Sequence, residues 1–265
     1  MTMKIAESLS HFTPLGLDAL NDKAAMLVRL DNKYIVPEAE LLPALAAFAD
    51  HFDVLEIEGQ RAFTYATRYF DDTSRRAYFD HQQGRRKRCK VRVRHYLEAK
   101  FSYLEVKLKD IRDVTVKRRL PVPFRSEVLD DRAMAFIDSC HRDLYGAGLD
   151  LSLEPVVAME YRRITLVAKA GGERMTIDTD MTFGTDRGEP VMSPGMFILE
   201  TKSARGFGVA DAILRRLHLR ATASCSKYCV AIAALGDVSR RNRFLPALRR
   251  LNLTAPDAVG VALAA

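Results

Sequence analysis

The stretch RCKVRVRHY, residues 88–96, alternates charged and apolar side chains almost without a break. A β-strand points successive side chains to opposite faces, so one face of this segment collects the basic residues and the other collects the apolar ones. The basic face holds Arg88, Lys90, Arg92 and Arg94, and the apolar face holds Cys89, Val91 and Val93. The pattern predicts a strand with one strongly cationic face.

The same alternation recurs elsewhere in the chain. It is found in residues 27–33, 103–109, 114–120, 174–178 and 197–202. Lysine and arginine dominate the charged faces, and a few carboxylates interrupt them, among them Glu105, Asp178 and Glu200. Repetition on many strands predicts a sheet whose charged face holds a polyanion together with a metal.

Overall charge agrees with an anionic partner. The 265 residues carry a formal net charge of +7, and the pI is about 9.3. Such a balance favours nucleic acid, phosphorylated small molecules, polyphosphate or an acidic membrane surface. Tryptophan is absent and aromatic residues make up 8%, which argues against a base-stacking nucleic-acid platform. We therefore expect no nucleic-acid partner.

Cysteine usage and hydropathy predict a cytoplasmic location. The four cysteines show neither CxxC pairs nor zinc spacing, which predicts reduced thiols. The first residues lack the apolar core of a signal peptide. No apolar run approaches the ~20 residues of a membrane span, although a membrane partner is left open.

The order of elements predicts an α+β fold. Strands are expected over residues 26–35, 63–71, 75–80, 87–96, 103–108, 114–122, 156–169, 173–178, 181–183 and 196–202, and helices over 15–23, 37–52, 127–145, 209–217 and 224–235. About eight antiparallel strands predict a closed β-barrel tunnel with a charged lumen and with helices packed outside, since closure removes exposed edges. The alternative is a curved open sheet with one solvated cationic face. Residues 1–236 would form this domain, and residues 237–265 a basic C-terminal helical appendix.

Short motifs in a fixed order resemble a known family. They are RLDNKY at 29–34, YFD at 69–71, KVRVR at 90–94, EVK at 105–107, KRR at 117–119, YRR at 161–163, RMTID at 174–178, ETK at 200–202 and SKY at 226–228. This series resembles the VTC-domain polyphosphate polymerases of the triphosphate tunnel metalloenzyme superfamily. The chain is similar to a stand-alone bacterial type, without a phosphate-sensing domain or a membrane segment.

The resemblance implies a reaction and a set of site residues. The reaction would be metal-dependent phosphoryl transfer from ATP, or another triphosphate, to a growing inorganic polyphosphate chain, with Mn²⁺ or Mg²⁺ as cofactor. Lys33, Arg92, Arg94, Lys107 and Lys117 would be catalytic phosphate ligands, Tyr161, Arg163, Arg174, Lys202, Ser226 and Lys227 would bind phosphate, and Glu200 would bind the metal. For Glu200, the alternative is an internal salt bridge to Lys202 or Arg174.

Two other functions stay open at this point. A hydrolase of triphosphate or polyphosphate with the same fold would tend to begin with a Glu-x-Glu-x-Lys strand, whereas this chain has Arg29, Asp31 and Lys33 at those places. A non-catalytic polyanion-binding module would gain nothing from carboxylates in its anion site, which is an argument against it. Ser224 also stands where relatives would carry a further lysine.

Overall fold

Alternating strands make up most of the computed structural model, which describes residues 2–23, 30–110, 115–150, 152–185, 191–236 and 238–253. The strands are β1 (Pro14–Leu15), β2 (Leu30–Pro37), β3 (Phe52–Leu55), β4 (Phe63–Asp71), β5 (Arg88–Tyr96), β6 (Phe101–Lys109), β7 (Thr115–Val122), β8 (Glu154–Ala168), β9 (Arg174–Gly184), β10 (Val191–Ser193) and β11 (Met196–Ser203). The helices are α1 (Met3–Ser10), α2 (Leu17–Lys23), α3 (Glu38–Phe48), α4 (Arg76–Gln82), α5 (Asp131–Tyr145), α6 (Val209–Arg216), α7 (Lys227–Leu235) and α8 (Leu245–Arg250), with a 3-10 turn at Asn242–Phe244. The α+β class is as predicted.

The described strands form one open sheet, so the predicted closed barrel is wrong. Their order is β2-β11-β9-β8-β4-β5-β6-β7, and no ladder among the described residues joins β2 to β7. The sequence of β7, TVKRRLPV, explains how its free edge is tolerated. Lysine, arginine and proline protect an edge strand from pairing with another chain, so closure is not needed.

The sheet curves strongly, and its charged face is concave. Arg94 on β5 donates a hydrogen bond to Tyr161 on β8, although β4 lies between these two strands. Lys107 on β6 lies within electrostatic range of Lys33 on β2, near the other end of the sheet. Curvature therefore brings side chains from distant strands together.

Apolar clusters cover both faces, but only part of the concave one. On the convex face, α1, α3 and α6 pack over β2, β8, β9 and β11, and α5 packs over β5 and β6. On the concave face, α7 and α8 pack against a separate apolar cluster that includes Tyr69, Tyr161 and Ile198. This cluster fills one part of the concavity and leaves the charged part accessible.

The predicted strand over residues 75–80 is wrong, because this segment is helix α4. The carboxylate of Asp71 accepts hydrogen bonds from the backbone N–H groups of Ala77 (3.0 Å) and Tyr78 (3.2 Å). The carboxylate of Asp72 accepts another from Arg76 at 2.8 Å. Carboxylates that satisfy the free N–H groups of a first turn favour a helix.

The C-terminal segment packs on the same domain as far as it is described. Phe244, Ala247, Leu248 and Leu251 are fully buried in the cluster that contains α7. Residues 254–265 lie outside the described residues, and the domain boundary at residue 236 stays a prediction. Among the helices that are described, none is both long and apolar enough to cross a membrane.

Candidate functional site

The strand register decides which charged side chains share the concave face. Paired residues of neighbouring strands point to the same side of a sheet. Lys33 pairs with Glu200, Arg92 pairs with Glu105, and Arg163 pairs with Asp178. We call this region the basic cleft; it comprises Lys33, Lys90, Arg92, Arg94, Glu105, Lys107, Lys117, Tyr161, Arg163, Arg174, Asp178, Glu200, Lys202, Ser226 and Lys227. The basic cleft includes all twelve residues that the family resemblance implied. Their roles in binding or catalysis stay predictions.

Glu200 lies between two lysines. Its Oε2 is 3.3 Å from Lys33 Nζ, and its Oε1 accepts a hydrogen bond from Lys202 Nζ. Burial acts to raise the pKa of this carboxyl, but the charges of Lys202 and Lys33 outweigh burial and hold the pKa well below its usual range. Glu200 is therefore ionised, and the salt bridge to Lys202 that the sequence left as an alternative is present.

Glu105 is the most heavily bridged carboxylate of the cleft. Its Oε2 lies 2.7 Å from Arg92 Nε, and its Oε1 lies 2.5 Å from Lys117 Nζ. A guanidinium nitrogen of Arg94 lies 3.7 Å from Oε2. The side chain is only 1% exposed. Burial alone would raise its pKa, but these cations, Arg92 first, hold it far below the ordinary value. Glu105 is therefore a buried counterion that Arg92, Arg94 and Lys117 share.

Asp178 on β9 forms ion pairs with Arg163 of β8 and with Lys227 at the start of α7. Arg163 donates to both of its oxygens, at 2.6 and 2.8 Å, and Lys227 Nζ lies 2.6 Å from Oδ2. Lys227 is the first residue of α7, so this helix starts in the cleft. Ser226 precedes it, and its hydroxyl accepts a hydrogen bond from Lys90 at 2.8 Å.

Two tyrosines orient the arginines of β5. Tyr161 accepts a hydrogen bond from Arg94 at 2.8 Å, and Tyr69 accepts one from Arg92 at 2.8 Å. The Nε of Arg94 is buried and has no hydrogen-bond partner among the described residues. A buried donor without a partner costs about 1–3 kcal/mol. Arg94 is therefore fixed in place through Tyr161, and its Nε is buried without a partner in the described part of the chain.

Lys107 differs from the other cations of the cleft. Among the described residues it forms no ion pair or hydrogen bond, and its side chain remains accessible to solvent in the concavity. The surrounding protein, followed by the charge of Lys33, lowers the pKa of Lys107 to about 8. Burial also lowers the pKa of Lys117 and of Lys202 to about 8. These three ammonium groups would therefore respond to pH just above neutrality.

The described residues supply only some of the ligands that a divalent metal needs. No group of three or more metal-ligating His, Cys, Asp or Glu side chains occurs in the part of the chain that is described. Glu200 is ionised, Asp31 pairs with Lys202 on the same face, and the buried hydroxyl of Thr176, opposite Glu200, has no hydrogen-bond partner there. Mg²⁺ is commonly held by one or two carboxylates plus substrate phosphates. The donors present fit that pattern, with phosphate oxygens completing the set.

A further cluster was missed by the sequence analysis. Lys90 Nζ lies 2.6 Å from His81 Nδ1 and 3.4 Å from Cys229 Sγ. Burial, followed by the charge of Lys90, lowers the pKa of His81 to about 2, so the imidazole is neutral and accepts the lysine's hydrogen bond. His81 lies on α4, whose start at residues 76–80 was predicted to be a strand, so no sequence signal placed His81 beside Lys90. Arg29 lies outside the described residues.

A family model described as the VTC domain matches residues 28–236. A search of curated proteins found no match.

Solved structures with a similar fold share little sequence with this chain. The putative adenylyl cyclase HpAC1 from Hippeastrum, described as having a dominant triphosphatase activity, is 13% identical, with a TM-score of 0.44 over 78% of this chain and 96% of that one. The PH1819 protein from Pyrococcus horikoshii OT3 is 12% identical, with a TM-score of 0.44 over 77% and 98%. A conserved hypothetical protein from Pyrococcus furiosus is 13% identical, with a TM-score of 0.38 over 72% and 91%. Similarity at this level carries no argument about activity.

Proposed function

The chain belongs to the VTC domain family, and from this premise we propose that it transfers phosphoryl groups from ATP to a growing inorganic polyphosphate chain. Both substrates would lie in the basic cleft, with Mn²⁺ or Mg²⁺ as cofactor. The hydrolysis of triphosphate and passive polyanion binding are the competing outcomes of the experiment below.

The observation that carries the proposal is the excess of cations in the cleft. Each of its three carboxylates is already bridged by at least two cations. Lys107 then remains without a counterion among the described residues. Several positive charges held close together repel one another, and a linear polyanion offsets that repulsion by supplying one negative charge after another. The cleft is thus complementary to a phosphate chain rather than to a single phosphate.

The cations would neutralise charge on the reacting phosphates. Phosphoryl transfer depends on positioning and electrostatic stabilisation more than on covalent chemistry. Arg92, Arg94 and Arg163 are held by Tyr69, Tyr161 and Asp178, so their guanidinium groups need little reorganisation. The accessible ammonium of Lys107 would contact phosphate oxygens directly.

The metal would be held by Glu200, with Asp31 and Thr176 on the same face. When bound, a divalent cation neutralises charge on the phosphate oxygens and polarises the transferring phosphoryl group. Lys33 and Lys202 keep Glu200 ionised, and they would also hold the phosphates beside it. Arg174 pairs with Lys202 across the β9–β11 ladder and would extend the same contact surface.

The experiment is incubation of the purified protein with ATP and Mn²⁺, followed by separate measurement of polymer and free phosphate. Synthesis of polymer is expected. Lys117→Met should reduce it strongly, whereas Arg118→Met, one residue along β7 with its side chain on the opposite face and paired to Asp143, should not. Free phosphate without polymer would identify a hydrolase. Binding without turnover would identify a passive module, and an equal loss in both variants would refute the placement of the site.

A further inference from the structure

Four aromatic side chains continue the face of the basic cleft at the turn between β5 and β6. Tyr96 pairs with Phe101 across this hairpin and with Tyr65 on β4, and Tyr103 pairs with Arg94. The register thus places all four rings on the same face as the phosphate-binding arginines. We call Tyr65, Tyr96, Phe101 and Tyr103 the aromatic platform.

The rings of the platform contact one another. Tyr96 and Phe101 are stacked with ring centroids 4.5 Å apart, and Tyr65 lies 4.9 Å from Tyr96. Phe101 and Tyr103 meet edge to face at 5.5 Å. Such arrays stabilise a hairpin end, but Phe101 keeps 40% of its surface exposed to solvent beside the charged residues of the cleft. An exposed aromatic surface beside a charged site is suited to a ligand with one planar apolar part.

The platform adjoins the cations directly. The guanidinium carbons of Arg94 and Arg163 lie 5.3 and 5.0 Å from the centre of the Tyr65 ring. That of Arg119 lies 4.9 Å from the Tyr103 ring. Along β6, the four-residue step from Tyr103 to Lys107 spans about 13 Å. A ligand with a planar ring at one end and a triphosphate at the other fits this order of surfaces.

We propose that the aromatic platform stacks on the base of the donor nucleoside triphosphate while its phosphates lie in the basic cleft. The inference rests on the proposed function and names the donor class within it. Stacking on aromatic rings tolerates any base, since every base has a π-face. The platform therefore distinguishes nucleotides from inorganic polyphosphate, and it favours purines only through their larger ring area.

The test compares two ligands that differ in the base. Calorimetry measures the binding of ATP and of tripolyphosphate to the wild-type protein, Phe101→Ala and Phe101→Leu. Loss of one stacked base weakens binding by about 10-fold, so both variants should bind ATP about 10-fold more weakly and tripolyphosphate within 2-fold of wild type. Phe101→Leu keeps the apolar volume without the ring, which separates stacking from folding. Phe101→Tyr should restore ATP binding.

A matched control comes from a second exposed phenylalanine. Phe124 is 38% exposed, and its ring contacts His95, which alternates with Arg94 and therefore points to the convex face. Phe124→Ala should leave the binding of both ligands unchanged. If Phe101→Ala weakens ATP and tripolyphosphate binding equally, or no more than Phe124→Ala does, the aromatic platform does not bind a base.

A spectroscopic readout is independent of affinity. The chain contains no tryptophan, so Phe101→Trp introduces a single indole fluorophore at the platform. Saturating ATP should change its emission, whereas saturating tripolyphosphate should not. The indole of Phe124→Trp should respond to neither ligand. An indole at position 101 that does not respond to bound ATP would overturn the inference. Failure of the wild-type protein to bind tripolyphosphate would instead count against the proposed function.

Discussion

Replacing Glu105 with glutamine should destabilise the protein severely unless a polyanion is present. The carboxylate is buried and bridges Arg92 and Lys117, with Arg94 also nearby. A glutamine side chain keeps one acceptor oxygen but turns an NH₂ group toward these cations. Three positive charges would then lie together without their shared counterion.

Removing one partner of a buried ion cluster costs ~3–5 kcal/mol. For a chain of this size, each kcal/mol lowers the melting temperature by about 2–4 °C. Glu105→Gln should therefore melt roughly 6–20 °C below the wild-type protein. Glu105 is ionised at pH 7 in both the folded and the unfolded chain, so the whole difference is visible at neutral pH.

The assay is calorimetric melting at pH 7, with and without tripolyphosphate. Asp143→Asn is the matched control, because it breaks an exposed pair with Arg118 in which both side chains are 47% exposed. Such pairs are worth ~0–1 kcal/mol. Tripolyphosphate supplies the missing negative charge, so it should raise the melting temperature of Glu105→Gln more than that of the wild type. A variant as stable as Asp143→Asn, or one that tripolyphosphate does not rescue, would refute the assignment of Glu105 as the counterion of the cleft.

Three further outcomes are expected. Glu200→Gln should fold and bind tripolyphosphate but lose ~10²-fold or more in polymer synthesis; a destabilised but active variant, measured on the same preparation, would remove the metal-ligand assignment. Tripolyphosphate should raise the lowered pKa values of Lys107 and Lys117, because its negative charge stabilises the protonated ammonium groups. The affinity for tripolyphosphate should therefore fall as pH rises above about 8, and binding at pH 8.5 should take up protons. Equal binding heats in buffers of different ionisation enthalpy would contradict this. Asp71→Asn, with Asp72 intact, should cost about 1–3 kcal/mol in urea unfolding, because the carboxylate holds the first turn of α4 and the hydroxyl of Tyr228; an unchanged midpoint would show that α4 forms without this contact.

The face of each charged strand could be predicted because it is a local property. Alternation with a period of two assigns Arg92, Arg94 and Lys107 to one side without any knowledge of the partner strands. Closure of the sheet is not local, since it depends on whether β2 and β7 meet. The basic residues and Pro121 of β7 gave the signal for a protected edge, but a basic strand also fits a charged lumen.

The ion pairs of the cleft could not be predicted without the register of the strands. Glu105 reaches Arg92 because the two residues are opposite each other on β5 and β6, and Lys117 because β7 follows on the other side. The aromatic platform was hidden for a different reason. Aromatic residues are only 8% of the chain. Overall composition does not show that the β5–β6 hairpin and the neighbouring strand β4 bring four of these rings together.

The free edges of the sheet have a consequence for polymer handling. A ring of strands would admit a chain only by its end, and a bound chain would have to slide along its own length to leave. Because no ladder joins β2 to β7 among the described residues, a polyphosphate chain that binds the cleft as proposed would also be able to enter it from the side. Under the proposed polymerase function, lateral exchange of this kind would make elongation distributive, with release between additions. A polyphosphate blocked at both ends should therefore occupy the cleft as readily as one with free ends.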